Sequence, residues 1–298
     1  MYLAIDTNQR AAWNPNFNTA DSRALTISRL SMSDEREVLS YLSRRPAHTF
    51  ALAGFIRDNG LNSPLNRGKF YGCRDVQGQL EGVALIGHAI LFETSEDAAI
   101  ELFARLALSH REAFIALAEQ EKIDKFCQYY SKDGQAPRLI CREVLFEQRG
   151  PVAPFVSVPG LRKATPDDLD LVVSAHAELG RRERGLIPLE TDPAGFRHRC
   201  AARIERGRTW VWREGQTLIF KADVVSTTPE VSYLEGVWVD EAERSKGYGL
   251  RCLSQLSKTL LKQTGSVCLL ANEQQQEAQS FYLKAGYTPV DFYETVYL

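Results

Sequence analysis

The segment from Arg244 to Gly249 is the part of the sequence whose residue types most directly indicate chemistry. It follows a run of β-branched and aromatic residues, 233–240, and precedes a leucine-rich run, 250–261, so we expect a strand, a loop and a helix in that order. The first amides of a helix have no partner inside the helix, and they carry the positive end of its dipole. Such a helix start binds anions, so the segment predicts a pyrophosphate site.

The pattern Arg-x-x-Gly-x-Gly is weak evidence by itself, because arginine and glycine are common residues. Gly247 and Gly249 could simply permit a tight connection between a strand and a helix, without any ligand. The flanking elements favour the anion site, and a second pattern at the next strand and helix adds to it. The second pattern consists of Asn272, Ala278, Phe281, Tyr282, Lys284, Gly286 and Tyr287.

Composition and charge are those of an ordinary globular protein. The chain has 298 residues, of which 44% are hydrophobic and 25% charged, enough for one large or two average domains. Each half has one more acidic than basic residue, so nucleic acid is not expected as a partner. The six cysteines and five histidines lack the spacing of metal ligands, so no metal is expected.

Nothing in the sequence predicts a membrane partner. The longest nearly apolar run, 82–92, is interrupted by His88 and is too short to cross a bilayer. The N-terminal residues lack the charged and then apolar pattern of a signal peptide. We therefore expect a cytoplasmic location, and the oligomeric state stays open.

A stretch rich in proline and glycine, 148–154, predicts a linker between a first domain, 1–150, and a second domain, 151–298. In the second part we expect helix, helix, hairpin, strand, helix, strand, helix, strand. The predicted bounds are 165–179 and 192–206 for the first helices, 209–225 for the hairpin, then 233–240, 250–261, 267–271, 275–285 and 291–298. The connection 180–190 shows little period and is predicted to be a loop.

The first part predicts a similar order of elements. A local echo supports two copies of one architecture, because 115–120 resembles 269–274 and each is followed by an aromatic helix. Only Glu93 and Thr94 separate the predicted strand from the helix, so the first part lacks the glycine loop. The predicted elements are a helix 33–42, a hairpin turning at 77–78, a strand ending near 92, a helix 95–108, a strand 113–118, a helix 121–130 and a strand 139–146.

Residues 234–249 and 272–287 together resemble the GNAT N-acetyltransferase superfamily, whose members carry a Gln/Arg-x-x-Gly-x-Gly/Ala loop and a later aromatic-Tyr-x-x-x-Gly-Phe/Tyr segment. The superfamily resemblance covers 161–298. Residues 219–223 and 236–239, with the extra N-terminal part, resemble a bacterial group of two-domain GNAT proteins whose first domain is poorly characterised. The resemblance implies an α/β protein with two GNAT-like mixed-sheet domains in tandem, the first a degenerate copy.

The resemblance also implies acetyl-CoA as co-substrate, with its pantetheine arm in a gap between two strands and its pyrophosphate on the glycine loop. Arg244 and Lys246 would add positive charge, whereas Ser245 stands where many members have glycine or a basic residue. The implied cofactor-binding residues are Val237, Trp238, Val239, Arg244, Ser245, Lys246, Gly247, Tyr248, Gly249 and Asn272.

Two downstream residues each have a structural alternative. Tyr282 corresponds to the tyrosine that protonates the departing CoA thiolate in many GNAT enzymes, yet it also shares a helical face with Ala278, Phe281 and Ala285, as core residues do. Asn272 could bond the pantetheine or cap the following helix.

The resemblance implies that the carboxylate of Glu235 accepts a proton from the acceptor amine; the alternative is a surface carboxylate without this role. Lys221 and Asp223 lie two residues apart on a strand and so share one face, which favours a structural ion pair over catalysis. Arg181, Arg182 and Arg184 could meet an acidic substrate, although arginines in a loop are usually solvated.

These residues predict acyl transfer, most simply of acetyl, from acetyl-CoA to a primary amine of a small molecule or peptide by direct attack in a ternary complex. The alternative is a regulatory module that binds acyl-CoA or a partner but has lost catalysis. A larger acyl donor is a third possibility. The sequence does not identify the acceptor, because one fold serves many substrates.

Overall fold

The computed structural model describes residues 25–110, 112–131, 137–153, 155–184 and 188–298. Within these residues twelve strands form one mixed sheet flanked by helices, which confirms the α/β class and the mixed sheet. The strands are β1 Thr26–Arg29, β2 Gly68–Arg74, β3 Leu80–Gly87, β4 Ala89–Thr94, β5 Ile115–Glu119, β6 Leu139–Gln148, β7 Arg162–Lys163, β8 Thr209–Glu214, β9 Thr217–Thr227, β10 Val231–Val239, β11 Ser266–Asn272 and β12 Thr288–Tyr297.

Most helix boundaries agree with the local signals in the sequence. Asp192 accepts a hydrogen bond from the amide of Gly195 at the start of α7, and Gly286, with φ of +90°, follows the end of α9. The helices are α1 Glu35–Leu42, α2 Pro46–Asn59, α3 Asp97–Ala107, α4 Gln120–Tyr130, α5 Leu169–Arg184, α6 Pro188–Thr191, α7 Pro193–Glu205, α8 Tyr248–Leu260 and α9 Gln276–Lys284. None of the helices in these ranges is long and apolar enough to span a membrane.

The predicted loop at 180–190 is wrong, because α5 continues through Arg184 and α6 begins at Pro188. Residues 181–184 are all strong helix formers, so the single Gly180, at about 1 kcal/mol, does not end the helix. The side chain of Arg184 and residues 185–187 lie outside the described part of the chain.

Helix α2 is absent from the sequence-based prediction. Seven of its 14 residues are buried, and they lie on more than one face of the helix. The sequence therefore lacks the amphipathic period that would reveal a helix. The ring of Phe50 stacks on Tyr233 of β10 with centroids 3.8 Å apart, and its carbonyl accepts a hydrogen bond from Ser226 of β9. Helix α2, from the first half of the chain, therefore packs on strands of the second half.

The sheet order is β1-β2-β3-β4-β5-β12-β6-β11-β10-β9-β8-β7. The last strand of each half is thus paired with the fifth strand of the other half: β6 lies beside β11, and β12 lies beside β5. β6 and β12 also pair with each other at the centre of the sheet. Both halves depend on this exchange for an unbroken sheet, and a domain boundary near residue 150 stays a prediction.

A cluster of charged side chains joins β4 and β5 where they diverge. The two strands pair only from Ala89 to Leu91, and beyond that point Arg45 and Lys122 bridge Glu93 of β4 and Glu119 of β5. Burial would raise the pKa of Glu119, but hydrogen bonds from Arg45 and Lys122 outweigh it and lower this pKa to about 2. The gap in the first half is therefore bridged by ion pairs, beside a pocket of about 20 Å³.

We expect Glu119→Gln to lower the free energy of unfolding at neutral pH by about 2 kcal/mol, because Arg45 and Lys122 would lose a buried charged partner. A carboxylate whose pKa is lower in the folded state stabilises the protein above its unfolded pKa of about 4.5, and the contribution is lost as pH falls towards 2. Denaturant unfolding at pH 7 and pH 3 should therefore show a smaller difference at pH 3. Glu101→Gln, on an exposed helix surface, is the control, and an equal difference at both pH values would contradict the assignment.

The exchanged strands predict that a cut in the linker leaves the two halves associated. A protease site inserted between Val152 and Ala153 breaks no strand pairing, while β6 and β12 still pair across the halves. After cleavage the fragments should co-elute in gel filtration without denaturant and unfold together. Separation of the fragments under native conditions would show that strand exchange does not hold them.

Candidate functional site

A cleft opens in the second half where two parallel strands separate. β10 and β11 pair only from Val231 to Leu234 opposite 266–269. A bulge after Glu235, where Gly236 adopts φ of +58°, bends β10 away from β11. The backbone of residues 235–239 consequently lacks a β11 partner, and residues 235–237 border a cleft of about 130 Å³.

Both halves of the chain contribute walls to this cleft. Strand β6 belongs to the first half and lies beside β11, while α5, β10, β11 and α9 belong to the second. Its walls include Cys141 and Glu143 of β6, His176, Leu179, Gly180 and Arg182 of α5, Tyr233 to Val237 of β10, Leu269 to Asn272 of β11, and Gln275, Ala278 and Tyr282 at α9.

The loop 244–249 leads directly into a helix, as the sequence predicts. Ser245 and Gly247 have φ of +61° and +79°, and α8 starts directly after them. Within the described residues, the backbone amides of 245–250 donate no hydrogen bond to the protein. A Cβ on Gly249 would lie 2.8 Å from Val239, so glycine lets the helix start approach β10. Free amides at the start of a 13-residue helix fit an anion such as a pyrophosphate.

The two cations of the loop contact groups of the protein itself. Arg244 donates from Nε to the carbonyl oxygen of Val239 at 3.2 Å, and its Nη2 lies 3.6 Å from Glu178 of α5. Lys246 is exposed and pairs with Glu243, which raises the lysine pKa. Glu178 also accepts a hydrogen bond from the indole of Trp238, so α5, β10 and the loop are joined.

Tyr282 and Asn272 both line the cleft. The Tyr282 ring is 9% exposed and packs against Phe146, so the side chain combines a core position with contact to the cleft. The Asn272 side-chain oxygen accepts a hydrogen bond from the amide of Gln274, in the turn before α9. Its oxygen therefore has a local role in this turn, but Asn272 does not cap α9, whose N-cap residue is Gln275.

Lys221 and Asp223 form the buried ion pair expected from their spacing, with 2.5 Å between Nζ and Oδ2. Asp223 also accepts hydrogen bonds from Thr209 and Arg203. Burial opposes its charge, but Lys221, His176 and Arg203 hold the pKa of Asp223 well below its usual range. Glu235 is opposite Asp223 in the β9–β10 register and lines the cleft.

His176 is the cleft residue that the sequence analysis missed. Its Nδ1 lies 2.9 Å from Nζ of Lys221, and burial together with this ammonium lowers the histidine pKa. No triad or ligand spacing points to it, because its partner is 45 residues away in sequence. The available signal is weaker: Val172, Val173 and Leu179 place His176 on the buried face of a helix.

The family comparison falls on this same region. Residues 205–289 match the family model described as "Acetyltransferase (GNAT) domain". The match contains the loop 244–249 and α8, which hold the free amides, and β10, β11 and α9, which form part of the cleft; the walls from β6 and α5 lie outside it. This part of the chain is therefore similar to a GNAT acetyltransferase domain, and GNAT acetyltransferases use acetyl-CoA as co-substrate.

Solved structures extend the similarity of fold to nearly the whole chain. A GNAT-family acetyltransferase from Colwellia psychrerythraea is 14% identical with a TM-score of 0.56, covering 92% of this chain and 100% of that one. A GCN5-related N-acetyltransferase from Sphaerobacter thermophilus is 13% identical with a TM-score of 0.58, covering 93% and 96%. A tandem GNAT protein from the clavulanic acid biosynthesis pathway is 12% identical with a TM-score of 0.52, covering 91% and 98%. No curated protein matches the chain in sequence.

Proposed function

We propose that this protein is an acetyl-CoA-dependent N-acetyltransferase that acylates a primary amine by direct attack in a ternary complex. The observation that carries the proposal is the placement of three features around the separated end of β10: backbone without a β11 partner, the side chain of Tyr282 on the cleft wall, and a helix start with free amides that approaches Val239. No single feature specifies acyl transfer, but together the three features suit a thioester with a long amide-containing arm and a pyrophosphate.

The residues fit the parts of acetyl-CoA in order. The amides of 245–250 would hold the pyrophosphate, and the backbone of residues 237–239 would bond the pantetheine arm along β10. The bound co-substrate supplies an acyl group already activated as a thioester. Backbone N–H groups near Val237 and Val239 would stabilise the charge that develops on the carbonyl oxygen.

Two side chains would move protons. Glu235, on the cleft wall, would accept the proton that the acceptor amine loses on attack, directly or through a water molecule. Tyr282, whose ring is held by packing in the core, would donate its hydroxyl proton to the departing sulfur. The two residues come from different elements, β10 and α9, so the acceptor and the thioester would meet between them.

The first half would serve the reaction as a wall rather than as a second site. β6 and α2 support the cleft, whereas the first half has ion pairs where β4 and β5 diverge. α3 begins with Glu96 and Asp97 in place of a glycine loop, and carboxylates at a helix start disfavour an anion.

We expect Tyr282→Phe to lower kcat about 100-fold and leave the KM for acetyl-CoA nearly unchanged, because only the proton donor is lost. The measurement is free thiol released from acetyl-CoA across a panel of amino acids, polyamines, aminoglycosides and peptides. Tyr287→Phe is the matched control, since that buried hydroxyl bonds Ser257 away from the cleft. Equal turnover by Tyr282→Phe and the unmodified protein would remove Tyr282 from the mechanism.

The same screen separates the enzyme from the alternative function. A regulatory module that binds acyl-CoA should bind acetyl-CoA but release no thiol with any amine. Failure to bind acetyl-CoA at millimolar concentration would exclude both functions.

Gly247→Ala should weaken acetyl-CoA binding about tenfold, because an L-residue resists the left-handed φ that the loop requires. Gly215, in the turn between β8 and β9, also has positive φ and open space around it, so Gly215→Ala carries a similar backbone cost far from the loop. Calorimetric titration with acetyl-CoA should detect weaker binding for Gly247→Ala alone. Equal affinities of the two variants would show that the loop amides do not hold the pyrophosphate.

A further inference from the structure

His176 contacts a buried lysine through one ring nitrogen, and its side chain lines the cleft. Nδ1 lies 2.9 Å from Nζ of Lys221 and 3.5 Å from Oδ2 of Asp223. The side chain is 24% exposed and lines the cleft, and no described residue hydrogen-bonds its Nε2. The ring also packs beside Phe196 of α7, with centroids 5.4 Å apart, so its orientation is fixed from both sides.

The contact with Lys221 determines which nitrogen carries the proton. Lys221 is fully buried and lies 2.5 Å from a carboxylate oxygen of Asp223, so it is an ammonium, which can only donate hydrogen bonds. Nδ1 of His176 must therefore accept with its lone pair, and the single proton of the neutral imidazole resides on Nε2. The longer Nδ1 to Asp223 distance cannot compete with the 2.9 Å contact.

The charged groups around the ring support the neutral form. Lys221 faces it from β9 and Arg203 from α7, while Asp223 of β9 and Glu235 of β10 supply the negative charges. Burial and Lys221 together lower the pKa of His176, so protonation of the ring is disfavoured at neutral pH. A histidine protonated on Nε2 with Nδ1 occupied cannot serve as a base in the cleft.

We infer that His176 is a fixed hydrogen-bond donor to the acceptor, and that the acceptor bears a carbonyl or carboxylate group on the carbon that carries its amine. A donor aimed at the nucleophilic nitrogen would occupy the lone pair needed for attack, so the productive partner is an oxygen beside it. Arg182, exposed on the same cleft wall, adds a second donor, and Glu235 faces the amine. α-Amino acids and peptide N-termini share this chemistry. The acceptor class rests on the proposed function, whereas the donor assignment does not.

The donor assignment is tested by NMR of the imidazole ring in the unmodified protein, labelled with ¹⁵N-histidine. The neutral Nε2–H and Nδ1–H tautomers have distinct nitrogen chemical shifts, and comparison with His176→Gln identifies the signals of His176 among the five histidines. We expect the Nε2–H form at neutral pH. The Nδ1–H form, or a doubly protonated ring, would overturn the donor assignment.

The acceptor class is tested by kinetics on matched amines: leucine, a leucine-initiated dipeptide and 3-methylbutylamine, which lacks the oxygen. With the first two, His176→Ala should lower kcat/KM about 10- to 100-fold, mainly through the KM of the acceptor. His176→Gln should restore most of the loss, because the glutamine amide places an N–H near the position of Nε2–H. Neither variant should change the KM for acetyl-CoA.

Each failure has a distinct signature. If 3-methylbutylamine is acylated as well as leucine and the dipeptide, the proposed function stands and the acceptor class is wrong. If His176→Gln is as poor as His176→Ala, His176 does not act through an N–H. If no amine releases thiol although acetyl-CoA binds, the proposed function and the acceptor class fail together, while the NMR result still decides the donor assignment. A preference for the dipeptide over leucine would identify peptide N-termini, and not free amino acids, as the acceptor.

Discussion

The early end of pairing between β10 and β11 is the constraint on which the candidate site depends. Two parallel strands that remained paired to their ends would leave neither a cleft nor free backbone on β10. The bulge at Gly236 separates them, and a side chain at Gly236 would both oppose its φ of +58° and lie 2.7 Å from Nζ of Lys221. One backbone irregularity thus opens the gap between β10 and β11. It also leaves room for the buried ammonium of Lys221, which in turn positions His176 at the cleft wall.

The same divergence occurs in the first half with a different outcome. β4 and β5 part after three paired residues, where β10 and β11 part after four, but Arg45 and Lys122 join their ends through Glu93 and Glu119. Charged side chains provide there the contacts that the separated strands no longer make with each other. In the second half the corresponding polar backbone borders a cleft. The nearby charged side chains do not bridge the two strands, because Lys221 and Arg203 both pair with Asp223 of β9.

The exchange of β6 and β12 gives the first half a physical role in the cleft. Because β6 lies between β11 and β12, its residues Cys141 and Glu143 reach the site across the boundary between the halves. Phe50 of α2 supports the opposite side by stacking on Tyr233 of β10. The site is therefore assembled from distant segments, and a change in the first half can alter it without touching the glycine loop.

The sequence alone determined the features that rest on local physics. The turn at Gly247, the helix start at α8, the alternation of Lys221 and Asp223 on one strand face, and most element boundaries follow from interactions within a few residues. Helices α2 and α5 were not predicted correctly. Burial on more than one face of α2 concealed its helical period, and the helix formers at 181–184 extended α5 beyond Gly180, where local signals favoured a loop.

Only the tertiary structure decided which strands lie beside β6 and β12 in the sheet. It also decided which ring nitrogen of His176 carries the proton. Strand partners are set by long-range pairing and burial, and the sequence of a strand does not specify which strand it will pair with. The state of His176 depends on an ammonium brought within 2.9 Å from 45 residues away, and no spacing in the chain encodes that contact.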